Sequence, residues 1–404
     1  MDEPRTLLVT VTGRDRPGVT SALFDALSGY DVEVVDVEQV LIRGRLVLGV
    51  LVTAGADESG VRAAVSAAAH DLGMDAEVAS GRGDSAPRRR GRLHVTVLGH
   101  PLRPAAVAGI AARIAGCGAN IDRIMRLSRT PVTSLELDVS GAADPERLRA
   151  ELAAEAAARG VDIAVQHAGL HRRGKRLVVM DVDSTLIQDE VIELLAAHGG
   201  NGAEVARITE SAMRGELDFE ASLRARVGLL AGLPASVLDD VRGAVRLTPG
   251  ARTLVRTLRR LDHRVAIVSG GFTQVTDFLV AELGLDYAAA NTLEITDGRL
   301  TGRLVGPVVD RAGKATALER FAAAAGVPLE QTVAIGDGAN DLDMLARAGL
   351  GVAFNAKPLV RAAADAALNV PYLDALLFLL GISREEVEAA DAADPDALLS
   401  PARR

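Results

Sequence analysis

The chain has very little of several things, and each shortage excludes something. Of its 404 residues none is tryptophan, one is cysteine and only 2% are aromatic. With Cys117 alone no intramolecular disulfide can form, which suits a reducing compartment. Cys117 itself, at an apolar helix end, reads as a small core residue. No apolar run approaches the ~20 residues that span a bilayer. The opening MDEPRTLLVTVTG lacks a basic segment followed by an apolar stretch, so it does not read as a signal peptide, and a cytoplasmic location is expected. Lysine is scarce as well: Lys175, Lys314 and Lys357 are the only ones, and every other permanent side-chain cation is arginine. Arginine replaces lysine on most solvated surfaces but not where a compact point charge is required, so a retained lysine suggests a specific task. His171 and His263 stand in Arg-rich polar stretches without ligand spacing and read as bland.

What is present is the balance of a globular protein: 49% hydrophobic and 25% charged residues, with length for two to four domains. A net charge of -9 argues against nucleic acid or an anionic membrane surface as the main partner. A small anionic ligand needs only one local cationic pocket.

Two polar stretches, Ser80 to Arg92 and His167 to Arg176, divide the chain into two short units and one long one. The expected boundaries are 1–80, 92–167 and 174–385, with an acidic tail over 386–404. The short units repeat one pattern. TLLVTVTG and RLHVTVLG read as strands, each followed by a turn (Arg16-Pro17; Arg103-Pro104) and a helix. Two strands (DVEVVDVEQV and RLVLGVLVTA; ANIDRIMRLS and TSLELDVSG), a helix and a short final strand complete each. This β-α-β-β-α-β order implies an α+β, ferredoxin-like unit with helices on one face of an antiparallel sheet. Tandem units opening with an RDRPG turn resemble ACT regulatory domains, which bind small ligands, often amino acids, where two of them pair.

In the long unit, apolar strands alternate with helices: RLVVM, RVAIVSGG, DYAAANTLEI, TVAIG and LGVAF. That alternation implies an α/β fold with a doubly wound parallel sheet, whose ligands bind beyond the carboxyl ends of the strands. The chemistry-bearing residues all fall at such ends. Asp181 and Asp183 follow RLVVM; two crowded carboxylates repel unless a proton or cation is shared. One is suited to attack phosphorus (Asp181) and the other to acid–base work (Asp183). Ser269 and Gly270 close RVAIVSGG with backbone N–H groups open to phosphate oxygens. Lys314 approaches a helix as a neutralising cation. Asp337, with Asn340 and Asp341 close behind, ends the last motif, and with Asp181 it forms a plausible oxygen site for Mg²⁺.

Acid pair, hydroxyl, lysine and acid pair in this order resemble the haloacid dehalogenase-like phosphatase superfamily over Arg176 to about Leu380. The helical stretch over about 190–245 takes the place of a cap, and its IQDEVIELLA and ITESAMRGELDFEASLRARVGLL resemble the phosphoserine phosphatase family. The resemblance implies hydrolysis of O-phospho-L-serine, the last step of L-serine biosynthesis. It implies that Glu190 pairs with the substrate ammonium, Arg226 grips its carboxylate, and Met213 and Phe219 wall the short side chain. Ser269, Gly270, Lys314 and Asn340 carry over as substrate contacts, and Asp181, Asp337 and the main-chain carbonyl of Asp183 as Mg²⁺ ligands. Val182 departs from the motif, where a larger apolar residue is usual.

For the N-terminal units, the expectation is a homodimer regulated by L-serine at the turn containing Gly18, with a matching role for Gly109. The second turn, HPLRPAA, lacks the glycine that follows Pro17. Two other readings remain open at this point. One is a related phosphatase or phosphotransferase for another small phosphorylated amino acid or alcohol. The other is an amino-acid sensor with an inactive hydrolase domain, against which the intact Asp181, Asp183, Lys314 and Asp337 count. The tail EEVEAADAADPDALLSPARR reads as acidic and partly disordered.

Overall fold

The computed structural model describes residues 5–82, 91–169, 172, 174–213 and 218–394. His171 and the side chain of Met213 lie outside the described residues, as do positions 395–404 of the tail. The chain forms two compact units, meeting in sequence at Arg88 and Arg89.

The first unit contains strands β1 (Arg5–Arg14), β2 (Val34–Ile42), β3 (Arg45–Thr53) and β4 (Asp75–Arg82), with helices Val19–Ser28 and Glu58–Asp71. The strands are ordered β2-β3-β1-β4, and every pairing is antiparallel. Alternation places Leu7, Val9 and Val11 of β1 under the helices, which supply Val19, Leu23, Leu27, Val61 and Val65 to the same core. Strand β2 is rich in apolar residues, yet each of its residues is exposed. It lies at the sheet edge, so its apolar side chains have no second layer to pack against.

The second unit opens with β5 (Leu93–Gly99), β6 (Asn120–Ser128), β7 (Thr133–Ser140) and β8 (Asp162–His167), and helices Pro104–Gly116 and Pro145–Arg159. It continues with β9 (Leu177–Asp181), β10 (Arg264–Phe272), β11 (Tyr287–Thr296), β12 (Arg299–Val305), β13 (Thr332–Gly336), β14 (Gly351–Phe354) and β15 (Ala366–Leu368). These strands form one sheet ordered β12-β11-β10-β9-β13-β14-β15-β8-β5-β7-β6. From β11 to β15 the pairings are parallel. The second repeat therefore extends the parallel sheet rather than standing apart, joined through the single pair Ala366↔Ala164. Asp162 reinforces the seam by accepting hydrogen bonds from the main chain of Asn369 (2.6 Å) and Val370 (3.1 Å).

Central strands β9 and β13 are buried throughout, as their unbroken apolar sequence requires for a sheet covered on both faces. Helices Val191–His198, Gly202–Met213, Phe219–Gly228 and Val237–Ala244 fill the stretch between β9 and β10. Among the described residues no helix is long and apolar enough to cross a membrane.

Within the acidic tail, read as partly disordered, the described part is ordered. Residues Arg384–Ala393 form a helix, with Ser383 and Glu386 making a reciprocal capping box. Val387 is buried, and Asp391 accepts hydrogen bonds from Arg256 (2.9 and 2.6 Å) and from Arg260. Acidic composition suggested a solvated segment, but one apolar anchor and two arginines on helix Ala251–Arg260 dock its first half.

Candidate functional site

Asp181 is the last residue of β9, where the strand stops and the main chain turns. Its Oδ1 accepts a hydrogen bond from the N–H of Val182 at 2.7 Å, and Ser184 takes a left-handed conformation (φ 57°) to complete the turn. Val182 is fully buried in the core beneath the site, away from the chemistry. Lys314 comes from helix Arg311–Ala325, whose first turn is capped by the Asp310 side chain accepting from Gly313 N–H at 2.7 Å. Its Nζ lies 2.7 Å from Asp181 Oδ1 and 2.7 Å from Asp341 Oδ1, with no solvent exposure. Burial alone would favour the neutral amine, but Asp181 and Asp341 override it and hold Lys314 above its ordinary range.

Asp337 follows β13 directly, and its Oδ1 accepts a hydrogen bond from Thr185 Oγ1 at 3.0 Å. Carboxylate oxygens of Asp181, Asp337 and Asp341 lie within 4.8 Å of one another. Three carboxylates thus face a single ammonium. Burial first, then Asp341, raises Asp181 well above the usual carboxylate range, and the same two causes push Asp337 up to about 6. The excess negative charge and the all-oxygen donor set fit a hard divalent cation. Asp341 enters this cluster in addition to the expected ligands. The carboxylate of Asp183 faces elsewhere: Oδ2 accepts from Ser269 Oγ (2.9 Å) and Oδ1 from Val191 N–H (2.8 Å). Only its main chain is left to serve such an ion. Burial raises Asp183 above its ordinary value, despite those two hydrogen bonds.

The cap approaches from one side. Phe219 reaches the Ser269–Gly271 turn so closely that a Cβ on Gly270 would stand 3.1 Å from its Cζ. Glu190 N-caps helix Val191–His198 and accepts from Ser184 Oγ at 2.8 Å. It is open to solvent on one side, but burial of its carboxylate and the adjacent charge of Asp183 push it up to about 7. Arg226 is half-buried on helix Phe219–Gly228, and Glu190 and Asp183 are its electrostatic neighbours. Asn340 is half-buried, its Oδ1 against Gly338. Sequence reasoning named Asp341 without giving it a role, although a carboxylate one turn past Asp337 was a usable signal. Thr185 carried no signal, because a threonine opening a helix is ordinary.

In the first unit a cleft of about 340 Å³ is lined by Asp15 to Ser21, Gln39 and Leu46. Gly18 adopts φ 97° there, a conformation costly to any residue with a Cβ. Gly109 is different. It lies inside helix Pro104–Gly116, where a Cβ would stand 2.1 Å from Glu155 Oε1, and Arg113 and Arg159 hold that carboxylate in place. Close helix packing accounts for glycine at this position.

The buried ion cluster generates a stability prediction. Lys314→Met should destabilise the metal-free fold by about 3–5 kcal/mol, since it strands Asp181 and Asp341 without a counter-charge. Thermal unfolding with and without a divalent cation checks it, and the cation should restore part of the loss.

Comparison with known proteins adds an independent line. The haloacid dehalogenase-like hydrolase family model matches residues 178–346, and two ACT domain models match residues 5–79 and 93–166. The chain is 66% identical to the phosphoserine phosphatase of Streptomyces coelicolor over 98% of its own length and 97% of the relative's. It is 56% identical to the phosphoserine phosphatase of Mycobacterium tuberculosis over 96% of each chain. Among solved structures, an unliganded probable phosphoserine phosphatase from Vibrio cholerae matches with a TM-score of 0.58 and 38% identity, covering 73% of this chain and 88% of that one. Motif order, convergent side chains and end-to-end likeness agree, and the chain belongs to the phosphoserine phosphatase family of haloacid dehalogenase-like hydrolases.

Proposed function

We propose that this chain hydrolyses O-phospho-L-serine to L-serine and phosphate through an aspartyl-phosphate on Asp181, the last step of L-serine biosynthesis. The observation that carries the reading is the buried meeting of Asp181, Lys314, Asp337 and Asp341 beneath a cap bearing Glu190, Phe219 and Arg226. Asp181 attacks phosphorus as the bond to the serine oxygen breaks. Asp183, which burial shifts toward its protonated form, delivers a proton to that leaving oxygen. The same carboxylate then takes a proton from water, which attacks the acyl phosphate and frees Asp181. Lys314 lowers the repulsion between an anionic nucleophile and an anionic substrate. Mg²⁺ fits the oxygens of Asp181, Asp337 and Asp341, with the Asp183 carbonyl, and when bound supplies charge neutralisation at the phosphoryl group.

Recognition follows from the cap. Glu190 takes the ammonium, Arg226 the carboxylate in a bidentate fork, and Phe219 with Met213 the methylene. Ser269, Gly270 and Asn340 surround the phosphate end. The opposite charges of Glu190 and Arg226 favour a zwitterion over a simple alcohol phosphate.

The N-terminal unit suggests regulation. L-serine binds at the Gly18 turn, where ACT domains of two copies meet in a homodimer, and inhibits the enzyme. The exposed apolar edge strand β2 supports a second copy, because a sheet edge of this kind is otherwise an aggregation hazard. We assign the ligand to the first repeat, since packing against Glu155 explains Gly109.

Phosphate release from phosphoserine should require Mg²⁺, stop with EDTA and fall with added L-serine. Asp181→Asn should reduce it by at least ~10³-fold, as expected for removing a nucleophile. Full activity in that variant contradicts the mechanism; indifference to L-serine removes only the regulatory part. The Glu190 carboxyl supplies a pH prediction. It binds an ammonium only when ionised, so KM should fall as pH rises through about 7. Glu190→Gln should raise KM and remove that dependence, and a KM profile unchanged by the substitution would exclude Glu190 from recognition. Comparing the two proteins cancels ionisation of the substrate phosphate, whose second pKa is near ~6.

A further inference from the structure

Strand β10 does not run straight into its helix. Between the pairs Val268↔Ala289 and Phe272↔Asn291 it advances four residues while β11 advances two. The extra length bulges out as the Ser269–Gly271 turn, which leaves main-chain groups without ladder partners. One of them, the carbonyl of Gly270, accepts a hydrogen bond from Asn291 Nδ2 at 2.8 Å. Asn291 is 2% exposed, and its own orientation is settled from the opposite side: Oδ1 accepts from Val309 N–H at 2.7 Å. A flipped amide would lose both bonds.

The Gly270 carbonyl belongs to the same peptide plane as the Gly271 N–H. Fixing one therefore aims the other. Gly271 N–H donates to Ser269 Oγ at 2.7 Å, which leaves the serine proton to point at Asp183 Oδ2, 2.9 Å away. We infer that Asn291 is a positioning residue for the reaction: by pinning the Gly270–Gly271 peptide it orients the Ser269 hydroxyl, which in turn holds the carboxylate of Asp183 in line for proton transfer. It touches neither substrate nor the reacting atoms. Its action runs through Ser269, and the inference rests on the acid–base role proposed for Asp183. A structural glue residue at this place would support the turn equally whether or not Ser269 carried a hydroxyl.

That difference is measurable as a double-mutant cycle in kcat/KM for phosphoserine. Asn291→Ala should cost roughly 10–100-fold in the otherwise unaltered chain, the scale of a small misplacement of a catalytic group. In a Ser269→Ala background the same substitution should cost under about threefold, because the group it aims is already gone. Asn291→Asp keeps the volume and the acceptor for Val309 but turns an oxygen toward the Gly270 carbonyl. It should match the alanine variant, and it takes its place if that protein does not fold. Equal losses in both backgrounds, or no loss in the first, overturn the inference. An unaltered chain that releases no phosphate from phosphoserine fails in its own control assay, and then the proposed reaction falls and takes the inference with it.

Discussion

One ammonium, Lys314, lies fully buried between Asp181 and Asp341, and the catalytic end of the molecule depends on it. Burying one charge is costly, and burying four is costlier unless each finds a partner. Here the geometry leaves a surplus of negative charge even after the lysine is counted, which is the condition a hydrolase needs if it is to bind a cation and a phosphoryl group together. The elements that supply these groups are distant in sequence but adjacent in the sheet. Asp181 ends β9, Asp337 and Asp341 follow β13, and the two strands pair side by side. Parallel pairing aligns their carboxyl ends, so the site is a consequence of topology rather than of any one loop.

Around this centre the carboxylates divide their tasks by environment. Asp181 has Lys314 beside it, which opposes the upward shift that burial and Asp341 impose on it. Asp183 has a hydroxyl and a main-chain N–H as donors, and burial raises it above its ordinary value as well. Two residues of the same type, one intervening valine apart, thus have different partners: an ammonium for one, a hydroxyl and a main-chain N–H for the other. The cap adds a third acid, Glu190, in a more open position suited to an incoming ammonium.

Much of this was legible in the sequence because the signals were short and local. The strand RLVVM followed by Asp181 and Asp183, the glycines after Ser269, and the rarity of lysine in an arginine-rich chain each marked a place where ordinary surface chemistry would not do. Long-range facts were harder to read. Asn291 looks like any polar residue in DYAAANTLEI, and only the two-residue bulge in the neighbouring strand gives it a purpose. Nothing in Ala164 or Ala366 announces that the second repeat joins the catalytic sheet. In the tail, acidic composition gave no sign of one buried valine and an aspartate that meets two arginines. Nor does the sequence around Gly109 show that the carboxylate of Glu155 stands where a side chain at that position would go.

The covalent step separates this arrangement from direct attack by water on the substrate. Rapid acid quenching during phosphoserine turnover, followed by digestion and mass analysis, reads it without ambiguity. The peptide that contains Asp181 should carry a transient phosphoryl group that hydroxylamine removes. Label on a different residue, or rapid turnover with no labelled protein at any time, would contradict a nucleophile at Asp181.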